Sequence, residues 1–231
     1  NCNRFGISLG NPSLEFARKL NKIKGIELVG ILTHESSSGV TTSEGIESVA
    51  YETASLMSET AHVLKADGIG ITDVILGSTP TARNLCQYKR DFPELTEIHP
   101  GAYVFGDLIY VKSLSMEVAS CAATVLVTVN STPEPQRACT DGGYKTFGAD
   151  PILPALSELS EHSGWRPSFG VVVGRPDLEI RRLTEEIGIL TVTDPNNGVE
   201  IGDRLEILPN HISLTVNLHE KMYGVRGGIV E

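Results

Sequence analysis

The feature that most constrains this chain is a change of hydrophobic period near residue 108. Before it, helical and strand-like patterns alternate. Asn11-Pro12-Ser13 caps a helix whose Leu14, Ala17, Leu20 and Ile23 recur at helical spacing, and Gly25 ends it. Ile26 to Thr33 reads as a buried strand ending at His34. A Ser-rich loop from Glu35 to Thr42 leads into a second helix, with Ala50, Ala54, Met57, Ala61 and Leu64 on one face through about Lys65. Val74 to Leu76 forms a short apolar strand, followed by a helix near Ala82 to Tyr88. Glu97 to Asp107 is strand-like with a Pro-Gly bend inside it. This order predicts βα units on a parallel sheet.

After residue 108 the helical period fades. Thr124 to Val129, Arg137 to Thr140, Phe169 to Val173, Ile189 to Val192, Arg204 to Leu208 and Ile212 to Val216 read as strands. Turn signals such as Pro133-Glu-Pro135, Asp141-Gly-Gly143 and Asn196-Asn-Gly198 separate them. The expectation is a partial (β/α) barrel over residues 1–107 and a mostly β domain over 108–231. A closed (β/α) barrel needs eight units and about 250 residues. Only about four units fit before residue 108, so two open edges are expected that another chain or an N-terminal portion must cover. The first residues, Asn1-Cys2-Asn3-Arg4-Phe5-Gly6-Ile7, carry no initiator Met and read like the tail of a strand already under way, as in a fragment or processed chain.

Charge narrows the partners. With 231 residues and a net charge of −10, the chain is a poor fit to nucleic acid or to an anionic membrane. No run approaches the length of a membrane span. The four cysteines (Cys2, Cys86, Cys121 and Cys139) are far apart and lack CxxC spacing, which fits a reducing cytoplasm better than a disulfide framework or a zinc knuckle.

One stretch, Asp73 to Arg83, is dense in anion-binding chemistry. Gly77 frees the backbone after the strand, and Ser78, Thr79 and Thr81 bring hydroxyls. Pro80 suits a first helical position, with Thr79 as its cap. A strand entering such a helix start gathers free amides around an anion. An ordinary, well-capped βα turn is the other reading.

Asn3-Arg4-Phe5-Gly6-Ile7, Gly30-Ile-Leu-Thr-His34, Gly77-Ser-Thr-Pro80 and Pro100-Gly-Ala-Tyr-Val-Phe105 resemble the later barrel strands of the alanine-racemase fold. Asp141-Gly-Gly-Tyr-Lys-Thr-Phe-Gly-Ala-Asp150, Leu183-Thr-Glu-Glu-Ile-Gly-Ile-Leu190 and Gly202-Asp-Arg-Leu-Glu-Ile-Leu-Pro-Asn-His211 resemble its D-threonine aldolase and D-serine dehydratase branch. The resemblance implies α/β architecture: the C-terminal half of a (β/α)8 alanine-racemase-type barrel followed by a mostly β domain. It further implies pyridoxal 5′-phosphate on a lysine and a homodimer. The strand that carries that lysine in the family has no counterpart in this chain. Lys145 does not replace it and reads as a surface or interface lysine.

By position, the resemblance gives the cofactor phosphate to Ser78, Thr79 and the backbone of Gly101 and Ala102. Glycine lets a backbone amide approach an anion closely. His99 falls where this fold faces the pyridine nitrogen, or is a strand-end histidine bonded to a backbone carbonyl. His34 would lie beside the cofactor ring, or simply cap its strand. Arg4 would sit near the cofactor oxygen or a substrate carboxylate, or be a surface arginine. His211, with the residue two positions on, matches the branch's divalent metal pair, since side chains two apart on a strand share a face. Here that second position is Ser213, a poor ligand for zinc, manganese or magnesium, with His219 or Glu220 as substitutes. Two further departures are the Glu35-Ser-Ser-Ser38 loop, without the usual Gly-His, and Ile187 in place of a His.

The function implied is a lyase on D-3-hydroxy amino acids, an aldolase or a dehydratase, inactive as this chain alone if the lysine is absent. The alternatives are a racemase on the same fold, with Tyr144 as a second base, or a non-catalytic module that keeps the phosphate cup.

Overall fold

The computed structural model describes residues 5–35, 40, 42–113, 116–150 and 168–230. Arg4, expected at the cofactor, lies outside the described residues. The chain divides into two compact units, Asn1–Tyr103 with Ser113–Ser115, and Val104–Lys112 with Met116–Glu231.

The first unit is a three-stranded parallel sheet flanked by helices. Its strands are β1 (Gly30–Thr33), β2 (Asp73–Leu76) and β3 (Glu97–Ile98), in that spatial order. Gly30 pairs with Asp73 and Thr33 with Leu76, while Ile75 pairs with Glu97. The helices are α1 (Asn11–Leu20), α2 (Ser43–Ala66) and α3 (Ala82–Gln87). The apolar stripe of α2 is buried as its spacing predicts: Ala50, Ala54, Met57, Ala61 and Leu64 share one core with Val74 and Leu76. Thr42 caps this helix by accepting the Gly45 amide at 3.1 Å.

Three local expectations give way. α1 stops at Leu20 because the Lys22 and Ile23 amides turn to the carbonyls three residues back, at 3.2 and 3.0 Å. β1 begins at Gly30, since the Val29 carbonyl takes both the Thr72 and Asp73 amides and interrupts an even ladder. Nor is this stretch buried: Ile26, Val29 and Leu32 are 52%, 51% and 60% exposed. β1 is an edge strand whose one partner among the described residues is β2.

The second unit is a closed antiparallel barrel. Its strands are β4 (Val125–Glu134), β5 (Arg137–Thr140), β6 (Gly170–Val172), β7 (Leu178–Leu183), β8 (Gly188–Val192) and β9 (Arg204–Pro209), in the order β4-β5-β8-β7-β6-β9. Alternating residues fill the interior: Val127 and Val129, Leu178 and Ile180, Leu190 and Val192, Leu205 and Ile207. β7 escapes the sequence reading because Glu179, Arg181 and Arg182 break its apolar look. A bulge between Ile180 and Arg182 then resets the register so that Leu183 faces in with the other two. The six strands abolish free edges within the barrel, a closure that a list of β runs does not disclose.

Ile212 to Val216 is not a strand. It is a helix, and with α4 (Leu108–Lys112) and α5 (Tyr144–Phe147) preceding it we label it α6 (Ile212–Asn217). Its β-branched residues suggest a strand, but the carboxylate of Asp107 receives the Ile212 amide at 2.9 Å and caps the helix from 105 residues away. The same carboxylate receives the Tyr110 amide at 3.1 Å, so it also caps α4. A two-residue hairpin, β10 (Val225–Arg226) and β11 (Ile229–Val230), follows, with Gly227 and Gly228 both at positive φ as such a turn requires.

Candidate anion-binding site

Parallel pairing brings the C-terminal ends of β1, β2 and β3 to one edge of the sheet, where ligand sites of such sheets form. The closest approach is at Gly77. A Cβ there would stand 2.5 Å from the His99 amide nitrogen, so only glycine fits. The His99 amide in turn donates to the Leu76 carbonyl at 2.8 Å. The segments Gly77–Thr81 and His99–Ala102 therefore leave the sheet side by side.

The helix start differs from the one expected. Pro80 and Thr79 lie in a turn, and α3 begins at Ala82 with Thr81 at the N-cap position but making no side-chain cap. The Thr81 hydroxyl is occupied elsewhere, donating to the carboxylate of Glu35. Ser78 Oγ donates to the same carboxylate at 3.0 Å, and the Gly77 amide does so at 3.1 Å. The two hydroxyl oxygens lie 3.0 Å apart, each with its one hydrogen turned to Glu35. Glu35 is 4% exposed, and Ser78 and Thr81 are buried with it. A buried carboxylate survives when donors surround it, which is what these three groups supply.

Glu35 is the residue that sequence reasoning missed. Its signal was present: a carboxylate two residues beyond a parallel strand, at the sheet end that also carries the hydroxyl trio.

Whether these residues fit a phosphate is answered by what they already hold. Three donors converge on one anionic group, and the Thr79 hydroxyl oxygen is buried with no hydrogen-bond partner. An anion with more oxygens than a carboxylate suits that surplus donor. Ala102 is buried at the start of a single 3-10 turn, and the space a Cβ would take at Gly101 is open for 4 Å.

The two histidines expected here are more exposed. His34 Nδ1 lies 3.0 Å from the carbonyl oxygen of Glu35. His99 is half-exposed, and its Nε2 is 3.0 Å from the Glu97 carboxylate rather than on a backbone carbonyl.

In the second unit, His211 is the residue before α6 and Ser213 is inside that helix. Strand alternation therefore does not bring the pair to one face, because the strand ends at Pro209. Ser213 is exposed, and among the described residues no group of three His, Cys, Asp or Glu side chains could hold a metal ion. The donor set described here does not fit a divalent metal. His211 Nδ1 instead pairs with Asp150 Oδ2 at 2.7 Å. Burial pushes the Asp107 carboxyl above the usual range, against the pull of the Ile212 and Tyr110 amides and of His211. His219 Nε2 lies 3.0 Å from the Thr146 carbonyl. Lys145 makes an exposed ion pair with Glu186, and the Tyr144 ring packs edge-on against Phe169 with centroids 6.0 Å apart.

Among the described residues, no helix is long and apolar enough to cross a membrane.

Comparison with known proteins adds the following. Residues 122–225 match a family model described as "Putative serine dehydratase domain". The chain is 26% identical over 234 residues to the D-threonine aldolase of Arthrobacter sp., covering 99% of this chain and 56% of that protein. A solved D-threo-3-hydroxyaspartate dehydratase from Delftia sp. HT23 superposes with a TM-score of 0.83 at 26% identity, over 99% of this chain and 62% of that one. The alanine racemase of Clostridium difficile 630 shares the fold alone, with a TM-score of 0.55 at 16% identity over 90% of this chain and 51% of that one. The chain spans about half the length of the curated relatives it matches.

Proposed function

We infer, from a chain that resembles the D-threonine aldolase and D-serine dehydratase branch of the alanine-racemase fold, that it is the phosphate-binding part of a pyridoxal 5′-phosphate-dependent lyase acting on D-3-hydroxy amino acids. On this reading the first unit is the C-terminal half of a (β/α)8 barrel. The lysine that carries the cofactor comes from sequence outside this chain, and the chain alone is inactive. The exposed apolar edge at Ile26, Val29 and Leu32 supports this, because such an edge asks for a further strand. That strand comes from the rest of the barrel, and a homodimer completes the enzyme.

The observation that carries the reading is the convergence of Gly77, Ser78 and Thr81 on a single anion at the C-terminal edge of a parallel sheet. Pyridoxal phosphate, when bound, supplies an electron sink for the bond cleaved at the substrate α-carbon. Ser78 and Thr79 hydroxyls and the Gly101 and Ala102 amides hold its phosphate. His99 would face the pyridine nitrogen, donating or accepting a hydrogen bond there. His34 donates from Nδ1 to the Glu35 carbonyl, which fixes the tautomer and leaves Nε2 as its basic atom. In the aldolase reaction that nitrogen takes the proton of the substrate's 3-hydroxyl as the Cα–Cβ bond breaks.

Cleavage between Cα and Cβ gives glycine and an aldehyde, whereas loss of the α-proton and then of the 3-hydroxyl, together one water, followed by uptake of one water gives a 2-oxo acid and ammonia. The test is to supply the full gene product with pyridoxal phosphate and either D-threonine or D-serine, with the L-isomers as controls. Product from a D-isomer alone is expected, and Ser78→Ala is expected to weaken cofactor binding about tenfold, the loss of one good hydrogen bond to a charged group. A gene product that neither binds the cofactor nor turns over any D-3-hydroxy amino acid overturns the reading.

A further inference from the structure

We propose that Glu35 is an internal competitor for the phosphate cradle, a carboxylate that must leave before a phosphate can enter. This rests on the phosphate reading above and adds a gate to it. Ser78 has one hydroxyl hydrogen, and Glu35 Oε1 takes it at 3.0 Å. The Gly77 amide and the Thr81 hydroxyl are committed to the same side chain. A phosphate seated on Ser78 would meet a buried carboxylate already there, and two like charges in one water-poor site repel. Both cannot be held at once.

The surroundings suit displacement. Glu35 lies two residues beyond the end of β1, outside any helix or strand, so its departure breaks no ladder. Its departure frees the Ser78 hydroxyl, which the phosphate set shares with it, and the partnerless Thr79 hydroxyl adds a donor that the carboxylate never satisfies. Removing the Glu35 charge therefore opens the cradle, whereas removing Ser78 destroys it.

The probe is inorganic phosphate, titrated into the full gene product by calorimetry and followed in parallel by thermal melting. Glu35→Gln, which keeps the shape and drops the charge, is expected to bind phosphate about tenfold more tightly than the parent. Its melting temperature should climb with phosphate while that of the parent hardly moves. Glu35→Ala provides a second variant with the carboxylate gone altogether. Adding Ser78→Ala to Glu35→Gln should cancel the gain. Equal phosphate affinity in parent and both variants overturns the competitor role and leaves the cradle standing. A gain that survives Ser78→Ala overturns it too, by locating the anion elsewhere. Absence of phosphate binding in every form overturns the competitor together with the cradle.

Discussion

The two units solve the problem of sheet edges in opposite ways. The barrel closes on itself, so its backbone donors and acceptors pair around the ring and Leu190, Ile207 and Val129 are wholly enclosed. Among the described residues the parallel unit has three strands and leaves β1 with apolar side chains in the open. A closed barrel is complete as a folding unit, while an open parallel sheet with an apolar edge needs a neighbour. Chemistry-bearing groups follow the same division, because the open sheet's strand ends converge on Glu35, whereas the barrel's buried cluster is hydrocarbon with the Thr140 hydroxyl beside it.

The sharpest way to break this contrast is a pair of truncations. Leu190→Ala empties barrel core and should cost about 2–5 kcal/mol in urea denaturation. Leu32→Ala on the 231-residue chain should change stability by no more than about 0.5 kcal/mol. In the full gene product the same Leu32→Ala should cost as much as a core truncation if the proposed further strand covers this edge. Equal costs at both positions in the short chain would erase the distinction.

Next in size is Thr81→Val, which takes a donor from the buried Glu35 carboxylate and should cost about 1–3 kcal/mol. The same measurement with Thr79→Val should show little or no loss, since that hydroxyl has no partner to lose. Asp107→Ala should cost about 1–2 kcal/mol, because it uncaps both α4 and α6, and circular dichroism should show a small loss of helix.

The last effect is one of pH. Burial lowers Lys112 from its ordinary value to about 8. Between that value and its unfolded pKa the unfolded chain binds the extra proton, so this group makes the fold more stable as pH rises from about 8 toward 10.5. Lys112→Met should flatten that rise in the parent's melting temperature. A parallel pH profile for parent and variant would contradict the burial of this amine.

Much of the parallel unit was legible because its signals are local. The α2 stripe, the Val74 strand and the Gly77 break each state themselves within a few residues. What escaped was set by distant partners. Nothing near Ile212 says helix, since its cap comes from Asp107. β7 hides behind outward charges, and its bulge shifts the period on which strand reading depends. The candidate site was half readable. Ser78 and Thr79 follow from hydroxyl density after a strand, yet the shift of the α3 cap from Thr79 to Thr81 depends on Glu35, which comes 46 residues earlier. The strand argument for the expected metal pair does not apply for a related reason: a spacing of two means one shared face only where the strand continues, and here it ends at Pro209.

The central claim is tested most directly by a crystal structure of the full gene product soaked with pyridoxal 5′-phosphate. The account predicts phosphate oxygens within hydrogen-bond distance of Ser78 Oγ, Thr79 Oγ1 and the Gly101 and Ala102 amides, with the Glu35 carboxylate moved away. Cofactor density seated elsewhere, with Glu35 still bonded to Ser78 and Thr81, would contradict it.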